Sequence, residues 1–354
     1  MQRTKQQPLR VPSIEETLRH PAYPGALFPL EPTATGAVPV GQHGGKSVEL
    51  VWEIHGNGPN KLMFIAGWVM SMKTWQYQTL YFGHERSDKY SVLVFDNRGH
   101  RRSDKPFMRY TTAMMAQDAV AVLDGVGWTQ SRSVHVVGLS LGGMIAQELA
   151  CAVPDRVKSL ALVNTTAGVL GSELALKEVW LILGILMPGR EQQQINRLIN
   201  AAYPHEWQGA PDFHAELWPS NSQRVPQGKA IANGDHTFES NFQRAQAFEI
   251  SVRRNSKCRK LRGRMSQLAA TISHRKSCAQ LCAMADSVGR GRIAVIYGSE
   301  DPVIPASHAE HLIRAIRPAD GVMVKGASHS LIIERALWFN QLLESKVEEY
   351  NKLV

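Results

Sequence analysis

The chain has 354 residues and carries 40 Lys and Arg against 31 Asp and Glu, a formal net charge of +9. With 44% hydrophobic and 20% charged residues it can bury one sizeable core with room for an insertion, and it does not have the make-up of a disordered or low-complexity chain. No window approaches 18 uninterrupted apolar residues, so no integral membrane segment is expected.

Residues 1–45 read as an N-terminal extension. Met1 to Arg10 is basic with no apolar run behind it, which does not fit a secretory signal, and Pro8 and Pro12 interrupt any amphipathic presequence helix. The closing Asn-Lys-Leu-Val does not match the peroxisomal address, so cytoplasm is the expected location. Pro and Gly recur through Pro21, Pro24, Gly25, Pro29, Pro32, Gly36, Pro39 and Gly41, and no packed regular element is expected there beyond one short capped helix opening at Ser13. Gly41 to Ser47 resembles a phosphate-binding loop but is one residue short, and a strand pattern follows where a helix is required. Nucleotide binding is therefore not expected.

Next come apolar runs of strand length. Val48–Ile54 and Lys61–Ala66 flank the hairpin-like turn His55-Gly-Asn-Gly-Pro59, and Ser91–Phe95 ends in Asp96-Asn-Arg-Gly-His100. Thr112 to Leu123 has helical spacing, and Val157–Val163, Arg292–Tyr297 and Gly321–Lys325 are further strands. Near-continuous apolar strands alternating with helices predict an α/β chain with a mostly parallel, doubly wound sheet covered on both faces. The rhythm stops between Thr166 and Arg290, where a mostly helical cap is expected. Its strongest feature is the apolar run Val179-Trp-Leu-Ile-Leu-Gly-Ile-Leu-Met187, read as packing the cap onto the core. The predicted division is an extension over 1–45, a core over 46–166 and 290–354, and a cap over 167–289.

From Ser251 to Ala285 there is no Asp or Glu, while nine cations run from Arg253 to Lys276. Attraction of an anion is one reading and a solvated helix face the preferred one. Aromatic residues for stacking on bases are missing from this stretch, which argues against nucleic acid as a partner. Four cysteines, Cys151, Cys258, Cys278 and Cys282, contain no Cys-x-x-Cys pair. Cys278 and Cys282, four apart on a predicted helix, are expected to be reduced, buried small hydrophobes.

The chemistry centres on Ser133-Val-His-Val-Val-Gly-Leu-Ser-Leu-Gly-Gly-Met-Ile-Ala-Gln-Glu-Leu-Ala150. A β-branched run, a turn Gly138-Leu-Ser140-Leu-Gly142 and a helical pattern form the strand–turn–helix of a nucleophile elbow. A serine at so tight a turn needs small neighbours, and its hydroxyl then projects at a helix N-terminus, where developing negative charge is favoured. Serine needs a histidine to take its proton and a carboxylate to orient that histidine. Loops after later strands supply Asp301, with Glu300 as the less favoured neighbour, and His329 in Gly326-Ala-Ser-His-Ser330. His308 and His311 fall on the helix after Asp301 and are expected to be structural. The other acid position, after Val163, holds Asn164, which cannot be an anion. Two donors for an oxyanion are expected from the backbone N–H groups of Leu141 and Trp68, with Gly67 allowing close approach to substrate. No cofactor and no metal is called for.

These segments resemble the α/β-hydrolase fold of the large serine-hydrolase superfamily. The likeness is carried by the elbow, Phe95-Asp-Asn-Arg-Gly-His100 with Ser103-Asp104, Pro154-Asp-Arg-Val157, Gly298-Ser-Glu-Asp301 and Gly326-Ala-Ser-His329. It is similar in particular to fungal-type members carrying Phe-Asp-Asn-Arg-Gly. It covers about 48–166 and 290–345, and the cap matches poorly. The family's usual His-Gly before the first oxyanion donor is Ala66-Gly67 here, and the usual small residue after Gly-His is Arg101, followed by Arg102. The resemblance implies a hydrolase acting on a small-molecule acyl substrate, an ester or thioester, through an acyl-serine. An acyltransferase with the same triad and a non-catalytic ligand-binding protein of the same fold stay open. Serine at the elbow departs from the dehalogenases and epoxide hydrolases of this fold, whose nucleophile is a carboxylate. Oligomeric state is not legible in the sequence.

Overall fold

The computed structural model describes residues 10–169, 181, 184–185, 187–214, 237–254 and 261–353. Eight strands form one sheet: β1 (Ala34–His43), β2 (Lys46–His55), β3 (Asn60–Ile65), β4 (Tyr90–Phe95), β5 (Val134–Leu139), β6 (Val157–Val163), β7 (Ile293–Gly298) and β8 (Asp320–Val324). Their order across the sheet is β1-β2-β4-β3-β5-β6-β7-β8. The pairs β1/β2 and β2/β4 are antiparallel and the remainder parallel, the mostly parallel architecture that the apolar runs predict.

Burial explains the uninterrupted apolar runs. In β3, Leu62 and Phe64 enter one core cluster while Met63 and Ile65 enter the other; in β5, Val137 and Leu139 oppose Val134 and Val136. A strand with period-two side chains and helices over both faces has no polar side. One face is covered by α3 (Thr112–Gly125) and α4 (Leu141–Ala152), the other by α2 (Gln76–Gly83) and the C-terminal α11 (Ala336–Asn351).

Two local expectations are corrected. The Gly- and Pro-rich stretch expected to lack a packed element forms β1, the antiparallel edge strand paired with β2 from Ala34↔Ile54 to His43↔Lys46. An edge position tolerates Pro39, and the ladder shifts register between Pro39 and Gln42, where Gly41 has φ +126°. The turn 55–59 is not a hairpin either. Strand β4 lies between β2 and β3, and a Cβ on Gly58 would stand 2.0 Å from the Lys89 carbonyl carbon, so the turn packs on the start of β4.

The described residues ahead of β1 also include a packed helix. Helix α1 (Ile14–Arg19) starts with the capping box that Ser13 and Glu16 announce. It lies on helix α7 (Asn241–Arg254), with Thr17 hydrogen-bonded to Gln246, whose Nε2 also donates to Pro12 O at 2.9 Å. Between β6 and β7 the described helices are α5 (Glu191–Ala202), α6 (His205–Gly209), α7, α8 (Leu261–Ser273) and α9 (Cys278–Val288). Leu281, Met284, Ala285 and Val288 of α9 share the sheet's core with Leu312 of α10 (Ala306–Ile316). Neither thiol on α9 is buried as expected: Cys278 is exposed and Cys282 half-buried, because the buried stripe runs through Leu281, Met284, Ala285 and Val288. Most of the apolar run 179–187, together with Lys257, Cys258, Arg259 and Lys260, lies outside the described residues.

Candidate active site

Strand β5 runs into α4 through Ser140, which has φ 56° and ψ −121°. Its glycine neighbours are forced by space. A Cβ on Gly138 would stand 2.4 Å from Gly142 O, and one on Gly142 would stand 2.0 Å from Ile65 O. The turn is held by main-chain bonds: Ser140 N–H donates to Val163 O at 3.0 Å, and Ser140 O accepts from Gly143 N–H and Met144 N–H.

On the loop after β7, Asp301 Oδ1 accepts the N–H groups of Val303 (2.8 Å) and Ile304 (2.9 Å), which leaves Oδ2 for His329. His329 Nδ1 lies 2.7 Å from Asp301 Oδ2, with both side chains buried. The Nδ1–H donates to the carboxylate, so Nε2 is left as an acceptor. Glu300, the neighbouring alternative, is exposed, and its N–H donates to Ala327 O. His308 is tied to Thr166 Oγ1 at 2.8 Å. Ser140 Oγ makes no hydrogen bond to His329 among the described residues; such contacts are often long before substrate binds.

What brings the three loops together is the pair Asn164 and Thr165, immediately after β6. Asn164 Nδ2 donates to Ser328 O (2.8 Å) and His329 O (2.9 Å), and its Oδ1 accepts Gly298 N–H (3.0 Å). The next residue, Thr165, donates from Oγ1 to Ser140 O at 2.8 Å. The sequence marks Asn164 only as a residue that cannot be an anion. Its positive φ of 42° shows why asparagine suits the place: it tolerates the left-handed region and offers both a donor and an acceptor. Glu334 grips the other side of the histidine loop, accepting Ser328 N–H with both oxygens at 2.9 and 3.2 Å. Burial pushes its carboxyl up to about 8, and the nearby Asp301 charge adds to the rise. An acidic residue ending the apolar Ser330-Leu-Ile-Ile-Glu334 is the signal in the sequence that could have found it.

The predicted oxyanion loop lies against the serine. A Cβ on Gly67 would stand 3.2 Å from Ser140 Cβ. The backbone N–H groups of Trp68 and Leu141 donate to no protein acceptor among the described residues. The Asp96–His100 segment props this loop, with Asn97 Nδ2 donating to Ala66 O at 2.8 Å and Asp96 Oδ1 accepting Met72 N–H at 2.9 Å. From the insertion, Gln267 Nε2 donates to Arg98 O (2.8 Å) while its Oε1 faces Val69 N–H (3.4 Å), and Trp68 Nε1 donates to Arg264 O at 3.0 Å. A cleft of about 550 Å³, counting its open mouth, continues from Trp68, Val69 and Met70 past Ser330 to the helices of the insertion.

Strain gathers here. The described non-glycine residues with positive φ are Val69, Arg101, Arg132, Ser140, Asn164 and Arg317, and four of these line the cleft or build the elbow and its support. Each such conformation costs of order 1–3 kcal/mol, which the surrounding structure has to offset. Among the described residues, no group of three or more His, Cys, Asp or Glu could hold a metal ion, and no helix is long and apolar enough to cross a membrane.

A strained serine between strand and helix, with loops from the following strands closing on it, is the plan of one large class of proteins. The profile of the alpha/beta hydrolase fold family matches residues 61–336, and the chain belongs to that family. Among curated proteins it is similar to 3-oxoadipate enol-lactonase 2 of Acinetobacter baylyi, 33% identical over 106 residues, 30% of this chain and 37% of that one. The chain spans under half the length of the first curated relatives it matches. Among solved structures, a hydrolase from Pseudomonas aeruginosa PA01 superposes with a TM-score of 0.62 at 21% identity, over 89% of this chain and 98% of that one. A thermophilic esterase from Thermogutta terrifontis gives 0.60 at 19% identity, over 90% and 99%. At these identities the superpositions speak for the fold.

Proposed function

We propose that the chain is a serine hydrolase that cleaves a carboxylic ester or thioester through an acyl-Ser140 intermediate. The observation that carries this reading is the buried Asp301–His329 pair at 2.7 Å, on loops that Asn164 ties together while its neighbour Thr165 bonds the elbow. His329 Nε2 takes the hydroxyl proton of Ser140 as Oγ bonds to the carbonyl carbon, and Asp301 steadies the resulting imidazolium. The carbonyl oxygen becomes an oxyanion held by the N–H groups of Leu141 and Trp68. Collapse breaks the acyl–oxygen or acyl–sulfur bond, and the departing alcohol or thiol takes the proton from His329. Water then repeats the sequence on the acyl-serine, releasing the acid and restoring Ser140. The enol-lactonase and esterase among the relatives are named for chemistry on the same kind of bond, which supports the choice.

The test is labelling with a fluorophosphonate probe and mapping of the modified peptide, beside turnover of p-nitrophenyl butyrate. A single adduct on Ser140, together with loss of at least about 1,000-fold in kcat for Ser140→Ala, is expected. A Ser140→Ala protein that labels and turns over like the parent would end the proposal.

A further inference from the structure

The basic stretch that opens at Ser251 has no part in the chemistry above, and the helix within it, α8, faces the solvent in an unusual way. Its inner side packs on the turn after β4: a Cβ on Gly263 would stand 2.2 Å from Gly99 O, and Gln267 is fully buried there. Its outer side carries Leu261, Met265 and Ala269, each four residues from the next and so on one face. Leu261 is 58% exposed and Met265 45%. A helix lying on a protein surface ordinarily turns polar residues outward; the first turns of this one present apolar residues. Phe107, on the loop between β4 and α3, extends the same face. It is 66% exposed, and the Arg262 guanidinium lies over its ring at 5.2 Å.

The charge around these side chains is a second, independent observation. Arg262 and Arg109 are exposed, and neither has an ion-pair partner among the described residues. The sequence supplies no Asp or Glu from Ser251 to Ala285. Asp104, the acid nearest Phe107 in the chain, holds the Glu49 N–H with Oδ2 at 2.9 Å. Exposed hydrophobic residues scattered singly are ordinary, but three gathered beside unpaired guanidinium groups mark a contact surface. None of the three lines the cleft, so a substrate pocket does not account for them.

We propose that Phe107, Leu261 and Met265 dock the protein on an anionic lipid surface, with Arg262 and Arg109 set against the lipid headgroups. The apolar side chains enter the boundary between headgroups and acyl chains, while the arginine stems lie along apolar surface and keep their charge at the anions. A second copy of the chain fits this face less well, because a two-fold contact through it would bring like charges together. The inner side of α8 meets the Trp68–Val69 loop, where Arg264 O accepts from Trp68 Nε1 at 3.0 Å. Docking through α8 therefore sets the cleft wall about 10 Å, one helix diameter, from the lipid. The inference goes beyond the hydrolase reading and does not rest on it.

The experiment is co-sedimentation of the full chain with unilamellar vesicles of phosphatidylcholine, alone or with about 30% phosphatidylserine, at low salt and at about 0.5 M NaCl. Partition onto the anionic vesicles is expected to exceed that onto the neutral ones at least about tenfold, and to fall at least about fivefold at the higher salt. The Phe107→Ser, Met265→Ser double variant should lower it about 10- to 100-fold and Arg262→Gln about 3- to 5-fold. Phe107→Trp should bind at least as well as the parent. Circular dichroism checks that the double variant is folded; if it is not, Arg262→Gln and the salt series decide. Ser140→Ala should bind as the parent does, so that a failure of docking and a failure of the hydrolase reading are told apart. A parent that binds neither vesicle, or binds both alike whatever the salt, overturns the proposal. Binding that the double variant and Arg262→Gln leave unchanged also overturns it, since the docking surface then lies elsewhere. A parent that is dimeric in the analytical ultracentrifuge beside a monomeric double variant would give the face to a second copy of the chain and overturn the lipid assignment.

Discussion

The two sides of the cleft are built differently. On the sheet side, Ser140, Asp301 and His329 sit on short loops directly after parallel strands, and each loop is anchored by bonds to or from main-chain groups. On the insertion side, the links to the site are a few long-range contacts: Trp68 to Arg264 O, Gln267 to Arg98 O, Arg101 to Val252 O, and Ser330 N–H to Ala202 O. On the hydrolase reading proposed above, the first side has to hold geometry to a fraction of an ångström, as proton transfer demands, and the second shapes what enters. Perturbing the sheet side should therefore strike kcat, and perturbing the helices between β6 and β7 should strike KM and their docking on the sheet.

The largest effect is expected from Asp301→Asn. The new Oδ1 can still accept from Val303 and Ile304, so the loop keeps its shape. The amide then donates to His329 Nδ1 and forces the imidazole proton onto Nε2, facing the serine. Loss of about 10⁴-fold in kcat is expected with an unchanged fold by circular dichroism. A loss under tenfold would show that Asp301 does not orient the histidine.

Asn164→Ala comes next. It strands Gly298 N–H, Ser328 O and His329 O in a buried place and puts alanine at φ 42°. Destabilisation of about 2–4 kcal/mol in urea unfolding is expected. A fall of about 10- to 100-fold in kcat with KM nearly unchanged should accompany it. Asn164→Asp keeps the acceptor for Gly298 but turns a carboxylate oxygen toward two carbonyls, and should be no better than alanine. A variant that loses stability but not kcat would make Asn164 a structural residue only.

The same contrast explains what could be read without coordinates. The strand-end placement of the candidate site was legible because each piece is local: the glycines around Ser140 are needed within five residues of it, and Asp301 and His329 each follow an apolar run. The edge strand β1 was missed because its pairing with β2 outweighs a Gly- and Pro-rich composition, which is a tertiary effect. Asn164 was passed over because its partners are remote in the chain, in a loop some 164 residues away; Glu334 grips Ser328 only six residues back, and what hid it is that its burial comes from the surrounding fold. Gln267 was out of reach because its partners too are remote, since nothing local ties α8 to the cleft. The Arg101 position was at least marked, as a large residue where the family resemblance leads one to expect a small one.

On the insertion side, Gln267→Ala removes a fully buried amide that spans Arg98 O and Val69 N–H. Because Arg98 O loses its donor in a dry place, about 1–2 kcal/mol of stability should go with it. KM for p-nitrophenyl butyrate is expected to rise about three- to tenfold, with kcat changing less, since the cleft wall at Val69 loosens while the Asp301–His329 pair is untouched. A drop confined to kcat would instead move Gln267 to the sheet side of the comparison, as a support for the oxyanion loop.

The smallest effect at neutral pH, and the sharpest in form, concerns Glu334. Its carboxyl titrates near 8 in the fold against 4.5 for the ordinary group, because burial disfavours its charge. The groups around it are Asp301, whose charge raises it further, Arg335 and the N–H groups of Ser328 and Ser330, which lower it, and Tyr203, whose hydroxyl feels its field. A group raised in the folded state binds more protons folded than unfolded between those two values. Its contribution is thus fully present below about 4.5 and is lost as pH rises through about 8. Glu334→Gln keeps an acceptor for Ser328 N–H and cannot ionise. Relative to the parent, the variant should gain stability steadily from pH 5 to pH 8.5, by of order 1 kcal/mol or more, read as a rising difference in Tm. If the carboxylate also perturbs the histidine loop once charged, the alkaline fall in parental kcat/KM should be blunted in the variant. A pH-independent difference in Tm would mean that Glu334 is already ionised at pH 5, and that the grip on Ser328 is a charged one.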